Sequence, residues 1–340
     1  MSKLSLSRVA LLVLCVCGAA VAWAQPPVKI IFDTDIAGDV DDVGSLAMLH
    51  ALADRGEAEI LACTISSNNP KSAACVDAIN TWYGRPDIPI GGVDVPVAGK
   101  AFEKLVGSRY TRQIASEFPQ DLSEKRQLPS AVKVYRQVLA AQPDDSVTIV
   151  SVGFLTNLAE LLDSPADEFS SLDGKQLVAA KVKQWVCMGG VFPEGHFASG
   201  EGEYNLKITP EATQRAINGW PTPIVFSGYE IGERVLTGAG LERAAADSPV
   251  RRGYQLYNGL GDRNSWDQTA VLHAVRGAGD YWELSPPGVC QVPEDSAGCH
   301  EWSESPEGKH RYLIEKMPPA EVAAEIETLM MAEPANSDGK

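Results

Sequence analysis

The amino-acid sequence predicts an α/β fold, and three observations support this prediction. Short apolar segments rich in Val and Ile alternate with longer helix-type segments along most of the chain. After the first residues, no repeat, low-complexity linker or break in composition divides the chain. A cluster of aspartates directly follows the first apolar segment, where open parallel sheets bind their ligands. We therefore predict one domain with a mostly parallel, Rossmann-like open sheet and helices on both faces.

The first half of the chain supplies the first predicted βα units. The strand VKIIFD is followed by a helix over about residues 43–54, and the strand EILACTISS by a helix over about 72–83. A helix around 130–141 then precedes the strand SVTIVSVG and the helical segment LTNLAELLDS. Strands separated by helices in this order run parallel.

The second half continues the alternation and then changes character. The strand VKQWVCMGG comes before a helix with Thr209 as N-cap and Pro210 at its first position. The strand PIVFSGYE leads to the helix of SWDQTAVLHAVRG, for which Ser265 is the expected N-cap. Residues 281–316 are rich in Pro, Gly and aromatic residues, which predicts irregular or short antiparallel structure. A C-terminal helix is expected over about 319–331.

Residues 1–24 have the features of a cleavable signal peptide. Lys3 and Arg8 precede an apolar run over 9–22, and the junction AWAQ follows it. The run is too short for a membrane span, and no later segment approaches the roughly 20 apolar residues that a span needs. We expect cleavage near Ala24, export to the periplasm or the medium, and a mature domain over 25–340.

The charge of the mature chain excludes two classes of partner. The full chain has 29 Lys and Arg residues against 45 Asp and Glu, and residues 1–24 contribute two basic and no acidic residues, so the mature charge is 27 minus 45, or −18. Nucleic acids and anionic membranes are therefore excluded as partners, and a small-molecule substrate is expected. The sequence leaves the oligomeric state open, a homo-oligomer included.

Two cysteines flank a polar loop near the C-terminus. Cys290 and Cys299 bound the segment CQVPEDSAGC, and an oxidising compartment would permit them to form a disulfide. Sequence spacing does not show whether the geometry of a disulfide is met. A paired and an unpaired state are equally consistent with the sequence.

The segment IIFDTDIAGDVDD places five aspartates within ten positions. Carboxylates this close repel one another unless a cation or protons neutralise them. The cluster closes a predicted strand and opens the next helix, so its oxygens can converge on a hard divalent cation. Calcium suits numerous and irregular oxygen ligands better than magnesium does.

The cluster has three other interpretations. The acids could simply favour the dipole of the helix N-terminus, although five are more than this role needs. An EF-hand loop would require a Glu where Gly44 stands. A haloacid dehalogenase-type phosphatase also has D-x-D at the end of its first strand, but it usually has Thr or Val where Ala37 stands.

These residues resemble the nucleoside hydrolases of the inosine-uridine type, in a longer variant of their signature, D-T-D-x-x-G-D-x-D-D. The similarity continues in order through TISSN, VSVGFLTN, MGG followed by EYN, and SWDQTAV. The resemblance implies a nucleoside hydrolase fold and calcium-dependent hydrolysis of the N-glycosidic bond of ribonucleosides, with release of free base and ribose. The alternatives are an exported calcium- or ribose-binding protein without turnover and the phosphatase described above.

The resemblance also implies roles for individual residues. It makes Asp35 the general base as well as a metal ligand, and it implies that Asp33 braces the residues around the metal. The other metal ligands are Asp42, Asp267 and the Val152 carbonyl, and the residues that bind the sugar are Asp41, Asn68, Met188, Glu203 and Asn205.

Some of these residues have a purely structural alternative. Asn68 could be only a turn residue, Met188 core filler and Asp267 an acid in the first turn of its helix. Glu203 and Asn205 could be merely solvated in their loop.

The sequence departs from the family pattern at the residue that assists departure of the leaving group. Some family members have a His directly before the last metal Asp, and here this position holds Trp266. We expect Trp266 to stack on the base, although packing in the core is nearly as well supported. His196 and Glu230 are the other candidates for assisting departure, and Asp39 receives no role.

Overall fold

The computed structural model describes residues 26–93, 108–122 and 128–335. The predicted signal peptide lies outside these residues. Within the described ranges, no helix combines the length and the apolar character needed to cross a membrane.

The helices and strands of the first half follow the predicted alternation closely. The predicted helices over 43–54, 72–83 and 130–141 are present with bounds that differ by at most two residues. The elements are β1 (Val28–Thr34), α1 (Asp41–Asp54), β2 (Ala58–Ile65), α2 (Ser72–Trp82), β3 (Ile90–Gly91), α3 (Arg109–Glu117), α4 (Ala131–Ala140), β4 (Val147–Ser151) and α5 (Thr156–Asp163).

The second half adds more strands than helices. Thr209 and Ser265 occupy the predicted N-cap positions, although neither side chain makes the capping hydrogen bond. The elements are α6 (Gly174–Lys181), β5 (Val182–Met188), α7 (Tyr204–Lys207), α8 (Pro210–Gly219), β6 (Ile224–Ser227), α9 (Tyr229–Gly232), β7 (Leu236–Thr237), α10 (Pro249–Asn258), β8 (Arg263–Asn264), α11 (Trp266–Arg276), β9 (Trp282–Leu284), β10 (Gly288–Gln291), β11 (Glu301–Glu304), β12 (His310–Glu315) and α12 (Pro319–Met330).

The central sheet is mostly parallel, which confirms the predicted fold class. Strands β3, β2, β1, β4, β5, β6 and β12 are neighbours in this order, and each pair is parallel. Strands β9, β10 and β11 extend the sheet at the β12 side with antiparallel pairs. Both faces of the sheet are covered, since Ile30 and Phe32 of β1 belong to one buried apolar cluster and Ile31 to another.

The segment 281–316 differs in part from the expectation. Its short antiparallel strands are present, but β12 pairs in parallel with β6, through His310 and Ile224, and so belongs to the central sheet. The partner strand lies about ninety positions earlier in the chain, and local composition carries no information on such a pairing.

The structure contains no disulfide between Cys290 and Cys299, so the unpaired alternative holds. Both thiols are free. Cys290 is buried in β10, and the Cys299 thiol lies 3.6 Å from the Gly200 carbonyl.

Candidate active site

The site lies beside β1, at the point where the order of the strands in the sheet changes direction. From β1 the chain proceeds to β2 on one side, while β4 follows on the other side of β1. Such a switch point leaves a crevice at the carboxyl ends of the two strands. A cavity of about 710 Å³ occupies it. Its lining includes, of the residues predicted from the sequence, Asp35, Asp41, Asp42, Val152, Met188, Glu203, Asn205, Trp266 and Asp267.

Three carboxylates meet at the floor of this cavity. Asp41 and Asp42 open α1, Asp267 lies in the first turn of α11, and one oxygen of each lies within 4.8 Å of the others. All three side chains are buried. Burial raises the pKa of each well above its usual range, and the negative charges of neighbouring aspartates raise it further.

The donor set of this trio fits a hard cation. It offers carboxylate oxygens only, and the mutual repulsion that raises their pKa values is what a divalent cation would relieve. The Thr34 hydroxyl donates to Asp42 and holds one of its oxygens in place. The Val152 carbonyl accepts a hydrogen bond of 3.2 Å from Asn205, which leaves its second lone pair for another partner.

Asp35 lines the same cavity beside the trio and is 9% exposed. Burial raises its pKa to about 7, and the charges of Glu203, Asp39 and Asp33 contribute. Gly153 makes its position possible, because a Cβ at Gly153 would lie 2.5 Å from the Asp35 backbone nitrogen. The site therefore requires glycine directly after Val152.

Asp33 lies below the cavity floor and is fully buried. One of its oxygens accepts hydrogen bonds from Thr64 (2.6 Å), Tyr135 (2.9 Å) and Asn157 (2.9 Å). Burial raises its pKa to about 6, although these donors oppose the shift. The Asp33 carbonyl also accepts the Val152 N–H at 2.8 Å, so this residue ties β1 to the loop after β4.

Glu203 and Asn205 form a wall of the cavity at the start of α7. The Glu203 carboxylate accepts backbone N–H groups of Asn205 (3.0 Å), Leu206 (3.3 Å) and Gly190 (3.3 Å) and so caps α7. Burial raises its pKa to about 7. The Asn205 amide donates to the Met188 carbonyl at 3.3 Å as well as to Val152. The wall thus links the ends of β4 and β5.

Comparison with known proteins decides the family. The family model described as inosine-uridine preferring nucleoside hydrolase matches residues 30–288. The chain belongs to this family. The RihA protein of Salmonella agona, named a pyrimidine-specific ribonucleoside hydrolase, is 29% identical over 225 residues, which cover 64% of this chain and 65% of that protein. The chain thus matches slightly less than two thirds of that relative's length.

Solved structures of nucleoside hydrolases share the fold. The inosine-uridine preferring enzyme of Bacillus anthracis superposes with a TM-score of 0.64 at 19% identity, over 89% of this chain and 99% of that chain. The purine-preferring enzyme of Gardnerella vaginalis gives a TM-score of 0.66 at 17% identity, over 89% and 98%. These similarities confirm the nucleoside hydrolase fold predicted from the sequence.

Asp39, which received no role from the sequence, forms an ion pair with Arg263. The Arg263 Nε lies 3.0 and 3.1 Å from the two Asp39 oxygens, and Nη2 also donates to this carboxylate. The Tyr110 hydroxyl donates to the Asp39 carbonyl. The extended loop is thereby tied to α3 and β8.

Trp266 belongs to an aromatic wall of the cavity. Its ring is stacked on Tyr229 with 5.2 Å between centroids, and its indole N–H donates to the Tyr229 carbonyl at 3.0 Å. Phe197 meets Tyr229 edge-on at 4.8 Å. The Trp266 ring lines the cavity and also packs partly against the core, and its stacking on a base stays a prediction.

Besides Asp33, three predicted residues are not among those that line the cavity in the described part of the chain. Asn68 follows β2 and is half-buried. His196 is exposed, and its Nδ1 lies 2.8 Å from the Phe197 carbonyl. Glu230 accepts the Phe192 N–H at 3.2 Å.

Several residues that line the cavity were not predicted from the sequence. Tyr229, Phe197, Tyr257 and Arg263 line the cavity together with Tyr110. Two of them had a usable signal: Tyr229 lies near the end of the predicted strand PIVFSGYE, and Arg263 lies two residues before SWDQTAV, a segment that carried the resemblance.

Proposed function

We propose that this chain hydrolyses the N-glycosidic bond of ribonucleosides in a calcium-dependent reaction and releases free base and ribose. The convergence of Asp41, Asp42 and Asp267 in one cavity, with Asp35 beside them, is the observation that carries the proposal. Family membership supports it and counts against the phosphatase alternative. The related proteins named above differ in their preferred base, so the proposal extends to ribonucleosides as a class.

Asp35 is the proposed general base. A carboxylate with a pKa near 7 is well matched to accepting a proton from water at neutral pH. Removal of that proton strengthens the nucleophile as the sugar develops positive charge at its anomeric carbon. The buried carboxylates around it stabilise this positive charge electrostatically.

The proposed ribose site is formed by Asp41 and Asn205, with Glu203, Met188 and Asn68 as further sugar contacts. Asp41 accepts hydrogen bonds from sugar hydroxyls, and Asn205 can donate or accept. Asp33 is the proposed brace, because three buried donors fix its carboxylate below the site.

Calcium is the proposed cofactor, with Asp35, Asp42, Asp267 and the Val152 carbonyl as ligands. When bound, it would supply positive charge that offsets the carboxylate repulsion and polarises oxygen atoms in contact with it. Asp41, rather than Asp35, is the third carboxylate that lies within 4.8 Å of Asp42 and Asp267. Asp35 and Asp41 both line the cavity.

The proposal also includes export. The basic start, the apolar run over 9–22 and the AWAQ junction support cleavage near Ala24 and a periplasmic or secreted enzyme. N-terminal sequencing of the protein from its native cell envelope and medium tests it: a mature start near Gln25 is expected, and an intact Met1 in the cytoplasm would contradict it.

The test of activity is a panel of ribonucleosides, with free base and reducing sugar both measured, with and without a chelator. The proposal expects equal amounts of base and sugar, and loss of both on chelation. Asp54→Asn is the matched control for Asp35→Asn, since Asp54 pairs with Arg85 at the end of α1, away from the cavity. Calcium and ribose binding without turnover would instead identify a binding protein and contradict the proposed activity.

A further inference from the structure

Arg263 is the one cation of the cavity that lies against aromatic rings, among the described residues that line it. Its guanidinium carbon is 4.9 Å from the centroid of Trp266 and 6.0 Å from that of Tyr257. The other basic lining residues differ, because Lys207 pairs with Glu201 at 2.9 Å and Arg109 is exposed. A planar base placed against the aromatic wall would therefore lie within the reach of Arg263.

The hydrogen bonds of Arg263 fix its orientation without using all of its donors. Nε–H and one Nη2–H donate to Asp39, and one Nη1–H donates to Asn264 at 3.2 Å. A guanidinium has five N–H groups, so two remain after these three bonds to described residues. The side chain is 31% exposed and lines the cavity, so a ligand can reach it.

We propose that Arg263 stabilises the departing base, by donating hydrogen bonds from its guanidinium to acceptor atoms of the base as the N-glycosidic bond breaks. This inference rests on the proposed nucleosidase function and names the group that replaces a histidine at the leaving-group side. Asp39 is the positioning residue, because its carboxylate holds the plane of the guanidinium against Trp266.

Cleavage of the N-glycosidic bond leaves negative charge on the base. The electron pair of the bond between C1′ and nitrogen moves onto the base, whose ring nitrogens and carbonyl oxygens gain negative charge. Arg263 keeps its proton, because the hydrogen bond to Asp39 raises its pKa further above an already high value. The oxygen of the attacking water forms the new bond to C1′ and its proton goes to Asp35, while the anionic base takes a proton from solvent on release.

The geometry favours a hydrogen-bond donor over a proton donor in this part of the cavity. Neither His196 nor Glu230 lines the cavity: His196 is exposed, and the Glu230 carboxylate accepts the Phe192 N–H. Removing one donor to developing negative charge typically costs about 100-fold or more in rate. Substrates whose leaving group is already stable as an anion need this help little.

Arg263→Ala therefore discriminates between a role in departure and a role in folding. We measure kcat/KM for a nucleoside and for p-nitrophenyl riboside, with and without added guanidinium ion. The proposal expects a loss of about 100-fold on the nucleoside, a loss below about fivefold on the phenolate, and at least about tenfold rescue by guanidinium on the nucleoside alone. Asp39→Asn is expected to show the same selectivity with a smaller loss.

Two further variants separate loss of the Arg263 guanidinium from a general effect of substituting an arginine. Arg276→Ala removes an arginine of α11 that pairs with Glu57 and Glu325 away from the cavity, and it should affect both substrates alike. Arg263→Lys keeps the charge without the planar donor set, and it should retain folding with an intermediate, nucleoside-selective loss.

Equal losses on both substrates for Arg263→Ala and Arg263→Lys, with no rescue, would overturn the role of Arg263 while leaving the nucleosidase function intact. A wild-type protein that hydrolyses neither substrate, with calcium present, would contradict the proposed function and this inference together.

Discussion

The backbone N–H of Asp267 points at the carboxylate of Asp41, with 3.4 Å between donor and acceptor. The two residues are 226 positions apart, and each lies at the beginning of a helix, α11 and α1. These helices pack against each other, so the start of one helps to hold the acid of the other in place. Two N-termini that converge in this way create a site that neither segment forms alone.

Asp35→Asn tests the assignment of the general base. The change keeps the shape of the side chain and one oxygen but removes the proton acceptor, so turnover should fall about 100-fold or more while ribose binding persists. Steady-state kinetics and ribose titration measure the two effects, with Asp54→Asn as the control. Turnover within a few-fold of wild type would place the base elsewhere.

Trp266→Ala tests the aromatic wall. Since Trp266 lines the cavity and stacks on Tyr229, its loss should lower kcat/KM on a nucleoside about tenfold and affect p-nitrophenyl riboside less. His196→Ala should leave both rates unchanged, because His196 is exposed outside the cavity. Trp302→Ala is the matched control, on the antiparallel edge of the sheet. Equal losses on both substrates for Trp266→Ala would mean that this residue is structural.

Tyr135→Phe tests the support of Asp33. The variant removes a buried hydroxyl that donates to the Asp33 carboxylate at 2.9 Å, so the free energy of unfolding should fall by about 1–3 kcal/mol. Urea denaturation measures this free energy of unfolding. Tyr83→Phe is the control, because the Tyr83 hydroxyl donates only a long hydrogen bond of 3.4 Å, to the Ala332 carbonyl, among the residues that the structure describes. Equal stability changes in the two variants would show that the Asp33 network is not an energetic brace.

Glu230→Gln tests how the stability of the folded protein depends on the protonation of a partly buried carboxylate. Burial raises its folded-state pKa to about 7, so between its ordinary value and about 7 the folded protein binds more protons than the unfolded chain. This contribution to stability is present at low pH and is lost as the pH rises through about 7. The stability of the variant relative to wild type should therefore increase from about pH 5 to pH 8, on the order of 1–2 kcal/mol. The exposed Glu283→Gln is the control, and a difference independent of pH would contradict the prediction.

Much of the fold could be predicted from the sequence because the strands and helices have strong local signals. β1 contains an apolar run over 30–32 that is buried on both faces, and the end of the strand marks the site directly. Helices α6 and α10 were missed, although each begins with a capping signal: Asp173 with Gln176, and Ser248 before Pro249. α6 has weak apolar periodicity, whereas α10 is amphipathic but contains few apolar residues.

The chemistry of the site was less accessible from the sequence alone. The aspartates of the first loop form a local pattern, whereas Asp267 was found only through the resemblance. The pairing of Asp39 with Arg263 joins residues 224 positions apart, and no local pattern encodes it. The exposure of His196 also depends on the path of its loop, which the sequence left undetermined.

Calcium reconstitution tests the central claim most directly. Purified protein is stripped with a chelator, calcium is added back in steps, and bound metal and released base are measured together for wild type and Asp42→Ala. The account predicts that base release rises in proportion to bound calcium and reaches its maximum at about one ion per chain, whereas Asp42→Ala binds less calcium and stays slow. Full base release by the stripped wild type, or an Asp42→Ala variant with normal calcium content and rate, would contradict it.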